Sequence, residues 1–321
     1  MAIPTPVPVT PEAVKWAYRL FLDREPESDE VIKIKTQLPS LTALRNEFVA
    51  SEEFRHRNVV AYRFGGYEPG MAIEEVSSEA DLERLFAHIQ QSWQRLGEED
   101  PHWSVLTSEE FRTNHIHLSL DKFYASGRNS LERLLKTLAR NEIDYHKFES
   151  CLEYGCGLGR VTRWLADEFR SVIGYEISQA HLRRAKQYLE QERVTNVTLC
   201  HLRSGQDINA LPQVDLIYSI LVLQHNPPPL IRVILTQFMR SLKKGGAAVF
   251  QVPTYREGYH FALDEYLSTR PAAAQMELHV LPQRVIAEIA ERENARIVEV
   301  FEDVSVGPFS GVSNSFVVQK N

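Results

Sequence analysis

The chain has 321 residues, 43% of them apolar and 25% charged, with a formal net charge of −7, a composition that suits a globular protein long enough for more than one domain. The acidic balance gives no general pull toward nucleic acid, no apolar run reaches the roughly 18 residues of a membrane span, and the opening MAIPTPVPVTPE has neither a basic nor an apolar leader segment. These exclusions imply a cytoplasmic protein with a small-molecule substrate; Cys151, Cys156 and Cys200 have no metal-ligand spacing and imply reduced thiols rather than disulfides or a metal site.

After the Pro-rich lead, PEAVKWAYRLFLDREP places Val14, Ala17, Tyr18, Phe21 and Leu22 at helical spacing, with Pro26 fitting the stop. LTALRNEFVASEEFRHR continues the period through Leu41, Leu44, Phe48 and Val49, and GGYEPG, residues 65–70, breaks it. A small all-α domain over residues 1–70 is therefore expected. Its Tyr18-Arg19, Arg24-Glu25-Pro26 and Ser51-Glu52-Glu53-Phe54-Arg55 resemble the pattern of a small bacterial helical domain of unassigned function, with Asp23 standing where glycine is usual.

Residues 71–127 read as a helical connector and lid. Leu82, Leu85, Phe86, Ile89, Trp93 and Leu96 make one apolar stripe on a helix over 79–96, which either packs on its own chain or forms a homodimer interface. HWSVLTSEEFRTNHIHLSLDKFYASG follows with four aromatics and few turn residues and ends at Gly127, so it reads as structured. His115, His117 and Asp121 within it lack the spacing of a metal site.

From residue 148 strands and helices alternate. FESCLEY, SVIGYE, NVTLCHL, VDLIYSILVL and AAVFQVP read as strands, separated by the helices RVTRWLADEF, SQAHLRRAKQYLEQE with Ser178 as cap, and PPPLIRVILTQFMRSLKKGG stopped by its glycines. After the helix PQRVIAEIAEREN, ARIVEVFED and NSFVVQK are joined by a turn. The fold expected over 128–321 is α/β, a doubly wound, mostly parallel seven-stranded sheet with an antiparallel C-terminal hairpin.

The loop in LEYGCGLGR, Leu152 to Arg160, puts glycines at 155, 157 and 159 after the first strand, letting backbone amides approach a ligand. A dinucleotide fingerprint would have glycine at 160, where arginine stands. Glu176 ends the second strand about twenty residues on, where a carboxylate suits a ribose diol. Arg160 and Arg163 read as helix-surface charges.

These residues, with GYEIS, VDLIYSILVLQHNPP and SLKKGGAAVFQVP in order, resemble the seven-stranded S-adenosylmethionine-dependent methyltransferases over residues 148–321. The resemblance implies S-adenosyl-L-methionine as cofactor. It places Glu153, Gly155, Cys156, Gly157 and Gly159 at the methionine portion, Glu176 and Ile177 at the ribose, Gln206, Asp207 and Ile208 at the adenine, and Tyr124 as an aromatic closing over the methionine end, against a plain core role for that tyrosine. His225, just beyond the fourth strand, is the candidate general base, with an apparent pKa expected near 6 to 7; the alternative is a structural histidine. His260 and His279, in the segment before the last helix, are candidate acceptor contacts. HNPPP has proline where amine methylases carry an aromatic, so a small-molecule or glycan hydroxyl is the expected acceptor. A nicotinamide-dependent oxidoreductase and a non-catalytic scaffold built on the N-terminal domain are the alternatives.

Overall fold

The computed structural model describes residues 7–51, 53–54, 68–269, 276–307 and 309–321. Glu52 and Arg55 of the N-terminal motif and residues 65–67 of the expected boundary turn lie outside them. The chain divides into two compact units, residues 1–63 with 304–310 and residues 64–303 with 311–321.

In the first unit α1 (Pro11–Leu22), α2 (Asp29–Thr36) and α3 (Leu41–Ala50) are each started by a hydroxyl, from Thr10, Ser28 and Ser40, that accepts a backbone amide of the first turn. Val14, Tyr18, Leu22, Ile32, Leu44 and Phe48 bury together. The sequence motif has a structural purpose here: Arg24 donates from Nε and Nη2 to the two oxygens of Glu53 at 2.6 and 2.7 Å and lies over the Tyr18 ring. Asp23 caps α1 in the left-handed region at φ 49°, which is why glycine is at home in that position.

The second unit is built on one seven-stranded sheet. Its strands are β1 (Ser150–Tyr154), β2 (Ser171–Glu176), β3 (Val197–His201), β4 (Val214–Ser219), β5 (Leu242–Arg256), β6 (Ala295–Glu302) and β7 (Gly311–Lys320), in the spatial order β3-β2-β1-β4-β5-β7-β6. The first five are parallel, and β7 runs antiparallel between β5 and β6. Side chains alternate across β1: Leu152 enters a core with Ile217, Leu230 and Phe250, while Cys151 enters the opposite core with Leu165, Val172 and Leu216. Burial on both faces is what a doubly wound sheet requires.

Three elements differ from the sequence reading. β4 stops at Ser219, because Leu221 turns to φ 62° and a 3₁₀ turn follows at Leu223–His225. The helix α10 (Pro228–Arg240) ends before its glycines. Gly245 and Gly246 instead lie in a bulge of β5, where the pairing jumps from Val214↔Leu242 to Leu216↔Ala247. Finally, the boundary expected at 127/128 falls inside α6 (Leu120–Arg140). Gly127 sits mid-helix because a Cβ there would stand 1.9 Å from the Arg160 carbonyl oxygen, so α6 packs directly on the end of the glycine loop.

Helix α4 (Glu79–Glu99) resolves the question of the apolar stripe. Leu85, Phe86, Ile89 and Leu96 are buried, and the helix packs on α8 (Gln179–Gln191) and α10 of its own unit. The stripe is spent inside the chain, so it offers no surface for the homodimer expected through it. Between them lie α5 (Pro101–Val105), α7 (Thr162–Glu168) and α9 (Gly205–Asn209), and α11 (Leu263–Thr269) and α12 (Gln283–Arg292) follow β5. No helix among the described residues is long and apolar enough to cross a membrane.

The α6 contact yields a test. Alanine is favoured over glycine in a helix by about 1 kcal/mol, yet Gly127→Ala must push α6 off the loop and is expected to destabilise by about 1–3 kcal/mol. Chemical denaturation of the two proteins checks this; a stabilised Gly127→Ala would mean the close approach is not needed.

Candidate active site

The parallel strands end at one edge, and the chain leaves β1 and β4 there toward opposite sides of the sheet, which opens a crevice in folds of this kind. A pocket, partly open to solvent, occupies it. Its wall comes from the ends of β1, β2 and β4, from Leu202 beyond β3, and from Ile89, Trp93, Ser104 and Val105 of the preceding lid.

The glycine loop is shaped by contacts that exclude side chains. Gly155 at φ 77° has Val222 2.4 Å from where a Cβ would be, and Gly157 at φ 54° has Val105 at 3.1 Å. Gly155 and Cys156 donate their amides to the Tyr175 carbonyl, while the Gly157 amide donates to Glu176 Oε2 at 2.8 Å. The other oxygen, Oε1, accepts the Ser178 amide at 2.9 Å, and Ser178 Oγ in turn caps α8. Burial pushes the Glu176 carboxyl up, and these amides oppose the shift.

Glu153 is buried beside it and accepts from Thr162 Oγ1 at 2.5 Å. Burial pushes its carboxyl up to about 8, against the Thr162 hydrogen bond and the Arg160 charge. Arg160 is not the surface charge expected from sequence. It lines the pocket, its Nη1 donates to Ser126 and Ser130 hydroxyls at 3.1 and 3.3 Å, and its buried Nε has no partner. Arg163 does behave as expected, pairing with Asp167 and Glu192.

Of the residues singled out in the sequence, Glu153, Gly155, Cys156, Gly157, Glu176 and Ile177 line this one pocket. The others do not. Gly159, at φ 78°, faces Ala185 and Leu189 of α8. Tyr124 stacks on Tyr188 at 3.6 Å, next to the cluster of Phe111, Phe123 and Leu158, instead of closing over the pocket. Gln206 is exposed, Asp207 accepts the Arg203 amide at the start of α9, and Ile208 is in the core; the β3 side of the pocket is supplied by Leu202 and Ile177.

His225 sits behind the pocket wall, its ring 5.0 Å from that of Trp93. Its Nδ1 bonds the Glu277 carbonyl at 2.8 Å, which places the proton on Nδ1 and the lone pair on Nε2. Burial holds it down to about 4, below the range expected from sequence. His279 is satisfied at both nitrogens, by Glu277 Oε2 at 2.7 Å and the Tyr259 hydroxyl at 2.8 Å, and His260 is exposed beside Glu265. Neither histidine faces the pocket. Residues 270–275 of their segment lie outside the described residues. Among the described residues no group of side chains suits a metal ion.

Sequence reasoning missed Ile89, Trp93, Ser104, Val105, Arg160, His181, Leu202 and Tyr218, all in the pocket wall. His181 is buried and held down to about 4 by that burial, and its Nε2 meets Ser104 Oγ at 2.9 Å, joining lid to α8. Arg160 was the one with a signal, being the residue in place of a third glycine.

A doubly wound sheet with an antiparallel strand inserted near one edge and a glycine-loop pocket at its carboxyl ends defines the class I methyltransferases. Residues 151–246 match the family model described as a methyltransferase domain. Magnesium protoporphyrin IX methyltransferase from Synechocystis PCC 6803, solved with bound S-adenosylhomocysteine, is similar with a TM-score of 0.52 at 14% identity, over 74% of this chain and 100% of that one. Its structure with bound S-adenosylmethionine gives 0.50 and 14%, over 74% and 97%. The N-methyltransferase NodS from Bradyrhizobium japonicum WM9, in complex with S-adenosylhomocysteine, gives 0.46 and 17%, over 73% and 98%. At these identities the likeness is one of fold. No curated protein matches the sequence. The oxidoreductase and scaffold alternatives give way to the methyltransferase reading.

The raised Glu153 has a consequence for stability. A carboxyl whose folded pKa lies above its unfolded value binds more protons when folded, so stability declines as pH rises from about 4.5 to about 8. Glu153→Gln keeps an acceptor for Thr162 and cannot ionise. The ligand-free variant is expected to lose several degrees less in melting temperature between pH 5 and pH 8 than the unaltered protein. Equal losses would show that Glu153 does not titrate in this window.

Proposed function

We infer that the protein transfers the methyl group of S-adenosylmethionine to an oxygen of a small molecule or glycan hydroxyl. The observation that carries the cofactor assignment is the buried Glu176 carboxylate, held by two amides at the edge of the pocket beside the glycine loop. Its remaining acceptor capacity suits a vicinal diol. Ile177, Leu202 and Ile89 supply an apolar wall on the β2–β3 side for a flat base, and the ionisable groups Glu153 and Arg160 lie on the β1–β4 side. When bound, the cofactor supplies an electrophilic methyl on a positively charged sulfur.

What the chain adds is alignment and exclusion of water. Val105, Trp93 and Ser104 close over the loop, and Asn226, which lines the pocket, is fixed by its side-chain amide donating to the Val222 carbonyl at 3.0 Å. For a hydroxyl acceptor a base is needed, and His225 supports that role through its fixed tautomer, with the Nε2 lone pair meeting the Gln224 side-chain amide at 3.3 Å. Because burial holds His225 down to about 4, it is neutral at neutral pH but a weak base. The proline at 229, in the first turn of α10, leaves no aromatic there to hold a planar amine.

Calorimetric titration with S-adenosylhomocysteine tests the cofactor site. Glu176→Ala removes charge-assisted bonds worth roughly 1.5–3 kcal/mol each, so affinity is expected to fall at least tenfold; unchanged affinity in a folded variant would take Glu176 out of the site. The acceptor is tested with methyl-labelled cofactor and a panel of sugars, phenols and amines. Label on oxygen is expected, and label on nitrogen alone would overturn the hydroxyl assignment.

A further inference from the structure

The least satisfied charge in the pocket is Arg160. Its guanidinium is tied only to two neutral hydroxyls, Ser126 and Ser130, both through Nη1, and its Nε is buried with no hydrogen-bond partner. No carboxylate among the described residues lies within ion-pair distance of it. Glu153, the acid that acts on it through space, is bonded to Thr162 and is pushed up to about 8, so it is largely neutral at pH 7. A buried guanidinium donor left unpaired is costly, and in an otherwise well-bonded fold it marks a place where a ligand completes the set.

Sheet order fixes which part of a ligand would reach it. The pocket runs across the strand ends from β3 through β2 and β1 to β4, so its lining passes from Leu202 and Ile177, through Glu176, to Arg160 and Tyr218. A molecule with its base on the apolar side and its diol on Glu176 directs its third portion toward Arg160. In S-adenosylmethionine that portion is an amino acid, whose anionic group is a carboxylate. Planar guanidinium and planar carboxylate are matched partners.

Resting on the cofactor reading above, we propose that Arg160 is the receptor for the cofactor's carboxylate, so that the protein separates complete adenosyl amino acids from adenosyl thioethers that lack the amino-acid tail. α6 is then part of the site, because it supplies both serines and, through Gly127, braces the Arg160 backbone.

The experiment compares the binding of S-adenosylhomocysteine and of 5′-methylthioadenosine to the full chain and to Arg160→Met and Arg160→Lys, by calorimetry. Arg160→Met is expected to lose at least tenfold in affinity for S-adenosylhomocysteine and less than twofold for 5′-methylthioadenosine, with Arg160→Lys recovering part of the loss. Retained binding of the truncated ligand shows in the same titration that the variant is folded. Equal losses for both ligands, or none for either, would overturn the assignment of Arg160 while leaving the cofactor reading in place. If the unaltered chain binds neither ligand, the cofactor reading falls and this proposal with it.

Discussion

The site depends on one carboxylate. Glu176 gathers the amide of Gly157, from the loop after β1, and the amide of Ser178, at the start of α8, so one side chain sets the position of two segments that the sequence separates by twenty residues. The left-handed glycines follow from this demand: the loop must turn its Gly157 amide toward the second strand while its carbonyls turn away. Burying a carboxylate raises the energy of its charged form, and convergent amides are the means available for offsetting that. Glu153, at the end of the neighbouring strand, has one hydroxyl donor where Glu176 has backbone amides, and it is the acid driven up to about 8. Burial raises both acids, and at Glu176 the backbone amides oppose that rise.

The lid is the second half of the arrangement. α4 and α5 precede the sheet in sequence yet form the outer wall of its pocket, and they are fastened at separate points along their length. Near one end Ser104 meets His181, and in the middle Gln90 donates to the Leu202 carbonyl and His88 meets Glu277. These are polar links at an otherwise apolar contact made by Leu85, Phe86 and Ile89. Apolar burial supplies attraction without direction, whereas the hydrogen bonds fix the register in which Trp93 and Val105 face the loop.

The alternation of strand and helix from residue 148 onward, and with it the sheet, was legible because each element carries its own local signal: an apolar run, a serine cap, a proline start. So were the pocket residues attached directly to strand ends, Glu153, Gly155, Gly157 and Glu176, since topology alone delivers a strand end to the ligand edge. What was not legible is whatever depends on three-dimensional neighbours. The glycines 245 and 246 resemble a helix stop, and only the pairing of β5 with β4 turns them into a bulge. Tyr124 has the right spacing for a pocket aromatic, but Tyr188 lies close enough to stack with it. Gln206, Asp207 and Ile208 follow β3 at the usual distance, yet the short α9 turns them to solvent, its own start and the core. Arg160 looked like any charge at a helix start until α6 was found packed against it.

The hydrogen bonds around Glu277 show the same limit from another angle. Glu277 accepts from His88, His279 and Tyr266 through its side chain and from His225 through its carbonyl. Burial pushes its carboxyl up, but the hydrogen bonds outweigh burial and hold it below the usual range. His88 and His279 therefore share one acid, and His225 bonds the backbone carbonyl of the same residue. His88 and His279 each spend Nε2 on the carboxylate, and His279 also spends Nδ1 on Tyr259. His225 alone bonds to a carbonyl through Nδ1, leaving on Nε2 a lone pair with only the Gln224 amide nearby at 3.3 Å. The network also sets His225 against Trp93 of the lid, with ring centroids 5.0 Å apart.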